Sequence, residues 1–387
     1  MKKPLAILLS TACAPLLAVP GSAQEPPPPI PFETVGVKAA IDPGPNMFVL
    51  DQSWSGASTL QVFAADDFDY KGGMSTGSMA QAQLSADGTT AYTISTYLER
   101  FTEGDTEMVL QVFDVATLTR TAEIALPPKI AMVGPYENLL QLAADERFAL
   151  VMNATPAASV TVVDLEAGAV TMEVPTPGCW NIYPATTGLK WTMLCGDGTA
   201  QTFVLNDAGT EIASQNATAI FDADVDPLFS HGERGTGDEL LFVSYGGDVY
   251  RVSDASDTPA LVGTFSFGDT LDEPFAPGGY QVSAYNEAND VLFVTVHNEP
   301  YDGSHKDGST EIWAIDVGNE TLLYRFQLEP GYVSLAVTDE EIPTLYAFNE
   351  HDYTLHAFSV DLSAPYGIIL TENAAVDSGG QVITVRP

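Results

Sequence analysis

The sequence predicts an all-β chain folded as a seven-bladed β-propeller whose ring is closed by its C-terminal strand, and three observations lead there. From Met47 onward, short apolar or alternating runs (89–94, 148–152, 240–245, 291–296 and 344–348) are separated by Gly, Asp, Asn and Pro, with no amphipathic helix. A strand ending in an acid or amide then recurs: Leu60–Phe63 before Asp66, Gln111–Asp114, Val160–Asp164, Thr202–Asn206, Val249–Val252 before Asp254, Ile312–Asp316 and His356–Asp361. Seven such copies, spaced roughly 40 to 60 residues apart, fit blades of four strands each. Finally, the first unit opens directly at Met47-Phe48-Val49-Leu50, and a spare strand, Gln381–Val385, follows the last unit. Docking that strand onto the first unit closes the ring and leaves no open sheet edge. A pair of β-sandwiches is the rival architecture, and it leaves the matched ends unexplained.

In chain order, the expected organisation is a signal peptide over 1–23, a Pro-rich arm over 24–44 and the propeller over 45–387. Lys2 and Lys3 precede apolar runs at Leu5–Leu9 and Ala14–Val19, and Gly21-Ser22-Ala23 supplies the small-residue cleavage site of an exported protein. Cys13 leaves with this leader; a lipoprotein site at Leu9–Cys13 is the alternative, in poor residue order. No later stretch approaches the roughly 20 apolar residues of a membrane span, so the mature chain is expected to be soluble, with no membrane partner. The arm, Glu25–Pro31, is an extended polyproline segment that serves as a linker or straps a neighbouring subunit. The formal charge of −38 becomes −40 when Lys2 and Lys3 are removed. Such a surface repels nucleic acid and anionic membranes, and suits a basic or zwitterionic partner, a cationic substrate, or plain solubility in a salty medium.

Cys179 and Cys195 flank a strand–turn–strand segment: Trp180, Ile182 and Tyr183, then Thr186-Thr187-Gly188, then Trp191, Met193 and Leu194. Pairing them would staple a hairpin and restrain the unfolded chain by about 3 kcal/mol, in an oxidising compartment. The alternative is two buried thiols that never meet. None of the five histidines, His231, His297, His305, His351 and His356, sits in a metal-binding spacing, so no metal site is expected. The acids of Asp222–Asp226 lack the glycine and distal glutamate of a calcium loop and read as a solvated turn. Residues Asp302–Gly308 read as a surface loop. No Gly-x-Ser-x-Gly elbow, phosphate loop or dinucleotide fingerprint is expected, and no nucleophile meets a base, so no catalytic residue is expected on this chain. A rigid ring without chemistry of its own is a platform for another subunit.

Several runs are unusual in combination: Ser95–Gly104, followed by Val112–Asp114 and Leu126–Lys129; Gly178–Trp180 with Cys195–Gly198; Phe242–Tyr245; Pro277–Tyr280; and Gly303–Lys306 leading into Glu311–Trp313. From about residue 45 to the C-terminus, the chain resembles the large subunit of quinoprotein amine dehydrogenases, the aromatic amine type more than the methylamine type. The resemblance implies a propeller with one disulfide, assembled as α2β2 with a cysteine-rich small subunit that carries tryptophan tryptophylquinone. It further implies a periplasmic complex that oxidises primary amines to aldehyde and ammonia and passes electrons to a small copper protein. This chain would bind no cofactor, because the quinone needs two cross-linked tryptophans in a disulfide-dense setting, and Trp54, Trp180, Trp191 and Trp313 read as core and rim aromatics. The family's large subunit places an aromatic side chain at the substrate-channel mouth, in the turn before the first full repeat. Alignment on Asp87-Gly88 puts Thr76-Gly77-Ser78-Met79 there, so Ser78 and Met79 are the expected mouth residues, and Ser78 replaces the aromatic ring and widens the entrance. Two other readings are a stand-alone binding propeller, and a calcium-dependent hydrolase such as a lactonase, which needs acids and an amide around the central channel.

Overall fold

A computed structural model describes residues 36–269, 271–361, 367–375 and 382–386, and the chain divides into two units, residues 1–38 and 39–387. The expected signal peptide, the polyproline part of the arm and Gln381 lie outside the described residues.

The second unit is a ring of antiparallel sheets. Five have four strands, beginning with Ile383–Arg386, Asn46–Asp51, Ser58–Ala64 and Tyr70–Thr76, and continuing through the sheets headed by Ser78–Leu84, Leu140–Leu142, Cys179–Pro184 and Leu228–Arg234. The remainder is one eight-stranded sheet. The expectation of seven blades is therefore corrected: the ring has five four-stranded blades, and residues expected to form two more are joined by the strand Thr321–Val337. Its first half pairs with Ser309–Asp316 and its second with Thr344–Asn349. The join holds because Gly308 and Gly331 meet backbone to backbone, where a Cβ on Gly308 would come within 2.6 Å of the Gly331 Cα, and Ser309 then pairs with Tyr332 across what reads in sequence as a Pro-Gly break.

Physical chemistry accounts for the recurring acid. Asp114, Asp164 and Asp316 each accept a hydrogen bond from the backbone N–H three residues on, at 2.8, 2.9 and 2.8 Å. Each carboxylate thereby closes the turn to the outer strand. The same outer pairs slip register at Val112/Phe113, Val162/Val163 and Ala314/Ile315, and such bulges add local twist.

The core lies between neighbouring sheets. Phe148, Leu150 and Met152 of one sheet pack against Trp191, Met193 and Phe203 of the next. Middle strands are thus covered on both faces, which explains why Phe148–Asn153 is buried throughout, while the outer strand Ile212–Ala219 alternates and stays largely solvated. Cys179 and Cys195 are directly opposed in the ladder and joined by a disulfide. The spare strand, seen as Ile383–Arg386, pairs antiparallel with Asn46–Val49, as the matched chain ends require. Its other side is held by Gln281, whose Nε2 donates to the Ile383 carbonyl at 3.1 Å while its Oε1 accepts from the Ile383 N–H at 3.0 Å.

Candidate functional site at the mouth of the ring

Antiparallel order puts the turn between each sheet's second and third strands on the same face as the connection to the next sheet. On that face three segments far apart in sequence converge. Tyr245 stacks on His305 with centroids 4.3 Å apart, Phe229 packs against Tyr245 at 4.7 Å, and the Gly279 N–H donates to the His305 carbonyl at 3.0 Å. The approach requires glycine, since a Cβ on Gly278 would lie 2.8 Å from the Asp307 carbonyl. The expected surface loop at Asp302–Gly308 is thus anchored: Ser304 is buried and His305 is held against Tyr245. A cleft of 570 Å³ runs between this loop and Asp224–Pro227. Burial pushes the Tyr245 hydroxyl up, with Tyr136 adding to the effect, and Tyr136 in turn packs edge-on against Tyr280.

Ser78 and Met79 open the strand that abuts this mouth, because Gln81 accepts a hydrogen bond from the Tyr136 N–H at 3.0 Å. Ser78 is half-exposed and its hydroxyl donates to the Thr96 carbonyl at 3.2 Å. Met79 is buried, with a left-handed φ of 56°, in a stretch where the strand slips register. The same face carries exposed Trp54, Phe101, Met132, Val225, Tyr301 and Tyr353, with Phe101 82 % exposed at the tip of the long hairpin Thr90–Arg100 and Glu103–Asp114.

The axis below the mouth is polar. His231 is 4 % exposed, with Nε2 2.7 Å from Glu233 Oε1 and 3.1 Å from the Ser283 carbonyl. Burial pulls the imidazole down, yet Glu233 and Glu137 outweigh it and leave its pKa above the ordinary 6.5. Burial, reinforced by Glu233, raises the Glu137 carboxyl, while His231 and Arg386 oppose the rise. Both groups hold their protons more tightly folded than unfolded. The stability from His231 is therefore complete below pH 6.5 and is lost as pH rises through its higher folded value. The urea midpoint is expected to fall between about pH 6 and about pH 8, and His231→Gln should flatten that part of the curve. An unchanged slope in the variant contradicts the assignment.

Sequence reading missed two features. Gly73-Met74-Ser75-Thr76-Gly77 does carry Gly-x-Ser-x-Gly spacing, against expectation; Ser75 lies in a strand paired with Thr59 and no helix follows, so it is not a nucleophile elbow. The axial His231–Glu233–Glu137 group has no sequence signature, since Glu137 reaches it from the short turn Glu137–Leu139, far along the chain from the strand Leu228–Arg234 that carries the other two. Among the described residues, no group of three or more His, Cys, Asp or Glu is placed to hold a metal ion, and no helix is long and apolar enough to cross a membrane. Of the four tryptophans, Trp191 and Trp313 are buried in separate cores, Trp180 is half-buried against the first of these and Trp54 is exposed.

Residues 45–383 match the family model for the methylamine dehydrogenase heavy chain (MADH). The chain belongs to the methylamine dehydrogenase heavy chain family. Similar curated proteins include the heavy chain of Methylobacillus flagellatus, 24 % identical over 88 % of this chain and 84 % of that one. Another is the heavy chain of Paracoccus versutus, 25 % identical over 92 % and 82 %. Among solved structures, a putative 6-phosphogluconolactonase of Bacteroides fragilis superposes with a TM-score of 0.61 at 13 % identity, covering 89 % of this chain and 100 % of that one. The β-propeller domain of Cps50 (Swd1) from Myceliophteria thermophila does so with a TM-score of 0.54 at 12 % identity, covering 81 % and 96 %. At these identities the structural likeness speaks to the fold alone.

Proposed function

We propose that this chain is the large subunit of a periplasmic amine dehydrogenase that oxidises primary amines to aldehyde and ammonia. The observation that carries the reading is the heavy-chain family match over nearly the whole ring. The quinone sits on a cysteine-rich small subunit in an α2β2 complex, and a small copper protein takes the electrons. The large subunit's part is to hold that partner and wall its substrate channel. The face bearing Trp54, Phe101, Met132 and Tyr301 is the docking surface, since exposed apolar side chains gathered on one side of a soluble ring are normally covered. The native protein is expected to co-purify with a small quinone-staining chain, and only the complex should reduce dye in the presence of a primary amine. A monomer without quinone staining would instead favour the stand-alone binding propeller.

Ser78 and Met79 contribute to the mouth of the channel, with the half-exposed Ser78 leaving it wide. In the assembled complex, Ser78→Phe is expected to lower kcat/KM for bulky amines relative to small ones by roughly tenfold, the scale at which pocket size discriminates. Unchanged relative rates would remove Ser78 from the channel.

A further inference from the structure

The strands Thr90–Arg100 and Glu103–Asp114 outrun their neighbours. On one side the sheet follows only as far as Thr96, paired with Ser78, and on the other only as far as Met108, paired with Leu126. Beyond those points Tyr97 pairs with Glu107, Leu98 with Thr106 and Arg100 with Glu103, with no third strand on either side. At about 3.3 Å per residue, the chain from Thr96 carries Phe101 roughly 15 Å above the sheet, on the face of the mouth. A two-stranded ribbon is marginal by itself in water. This one is nonetheless closely built, since a Cβ on Gly104, whose φ is 105°, would lie 2.8 Å from the Glu99 Cβ.

Phe101 is a poor choice for the fold at that tip. It holds a left-handed φ of 55°, where a bulky side chain is disfavoured and glycine is at ease, and at 82 % exposure its ring packs on almost nothing in this chain. Leu98 beside it is also exposed, whereas Tyr97 is tied back through its hydroxyl, which accepts from Gln111 Nε2 at 3.2 Å. A ring held out from the core at a cost in backbone conformation points to burial by another molecule.

Charge decides the occupant. The ribbon presents Glu99, Glu103, Asp105 and Glu107 against Arg100 alone, and Arg100 is engaged by Glu103 at 3.3 Å. A second copy of this chain, with a formal charge of −38, meets that ribbon with like charge, and so do anionic lipids. We infer that the ribbon is a clamp whose Phe101 ring inserts into an apolar socket on the small subunit, with Lys or Arg side chains around the socket meeting Glu99, Asp105 and Glu107. The inference rests on the reading of this chain as a large subunit, and adds to it the element that grips the partner and the chemistry of the surface gripped.

The test is capture of the tagged full-length chain from its own host, scored for a small quinone-staining chain, with the dissociation constant of the complex read by dilution. Wild type is expected to hold the small chain. Phe101→Gly should raise the dissociation constant at least about tenfold, while the urea midpoint of the large chain stays at or above wild type because glycine suits the left-handed turn. Asp105→Asn combined with Glu107→Gln should flatten the rise of the dissociation constant with salt. If Phe101→Gly holds the small chain as tightly as wild type, or loses it in step with a lowered urea midpoint, the clamp is overturned and the large-subunit reading stands. An unchanged salt dependence in the double variant overturns the basic rim of the socket. A wild-type chain that brings down no small quinone-staining chain overturns the clamp and the large-subunit reading together.

Discussion

A chain ending at residue 381 is expected to lose about 5 kcal/mol of stability and to aggregate near its working temperature. The deletion removes the buried side chains of Val382 and Ile383, each worth about 1.5–3 kcal/mol. It breaks both hydrogen bonds between the Gln281 amide and Ile383; Nε2 keeps Glu137 Oε2 at 3.2 Å, but the amide oxygen loses its Ile383 N–H, which costs about 1–3 kcal/mol more. It also exposes the ladder edge of Asn46–Val49, which would then be free to pair with another molecule. Urea unfolding and light scattering check both parts. A truncated chain with a wild-type midpoint and no scattering would show that closure adds nothing.

Asp254→Ala is expected to cost about 3–5 kcal/mol, the usual penalty for breaking a buried ion pair from one side. Asp254 is 0 % exposed and grips Arg234 through both oxygens, at 3.0 and 2.9 Å. Arg234 also donates to the Pro184 carbonyl, and Lys190 Nζ reaches the Asp254 carbonyl at 2.6 Å. The group therefore pins the sheet of Cys179–Pro184 to that of Leu228–Arg234. Without the carboxylate, the guanidinium stays partly buried and uncompensated. Asp254→Asn keeps the shape and one acceptor and should cost less, so the order wild type, Asn, Ala in urea midpoint is the decisive readout. Equal midpoints for Asn and Ala would mean that shape and hydrogen bonding contribute nothing.

Much of this was legible in residue order because the forces involved are local. An acid three residues before a free backbone N–H makes a turn wherever it occurs, which is why Asp114, Asp164 and Asp316 marked strand ends correctly. Doubly covered strands must be continuously apolar, so Phe148–Met152 could be placed in a middle strand before any coordinates. Cys179 and Cys195 flank a short hairpin whose own register sets them opposite. The unmatched ends at Met47 and Val385 carried the closure of the ring.

Residue order by itself thus determined the strands, their turns, the single disulfide, the sealed ring and the family. Tertiary structure alone decided how many separate sheets the ring contains, because Pro330-Gly331 becomes a continuation rather than a break only where the Gly308 backbone lies against it. It also decided which polar groups face the axis: His231, Glu137 and Arg386 are far apart along the chain, and their burial and the charges they present to one another belong to the space between sheets, not to any one segment.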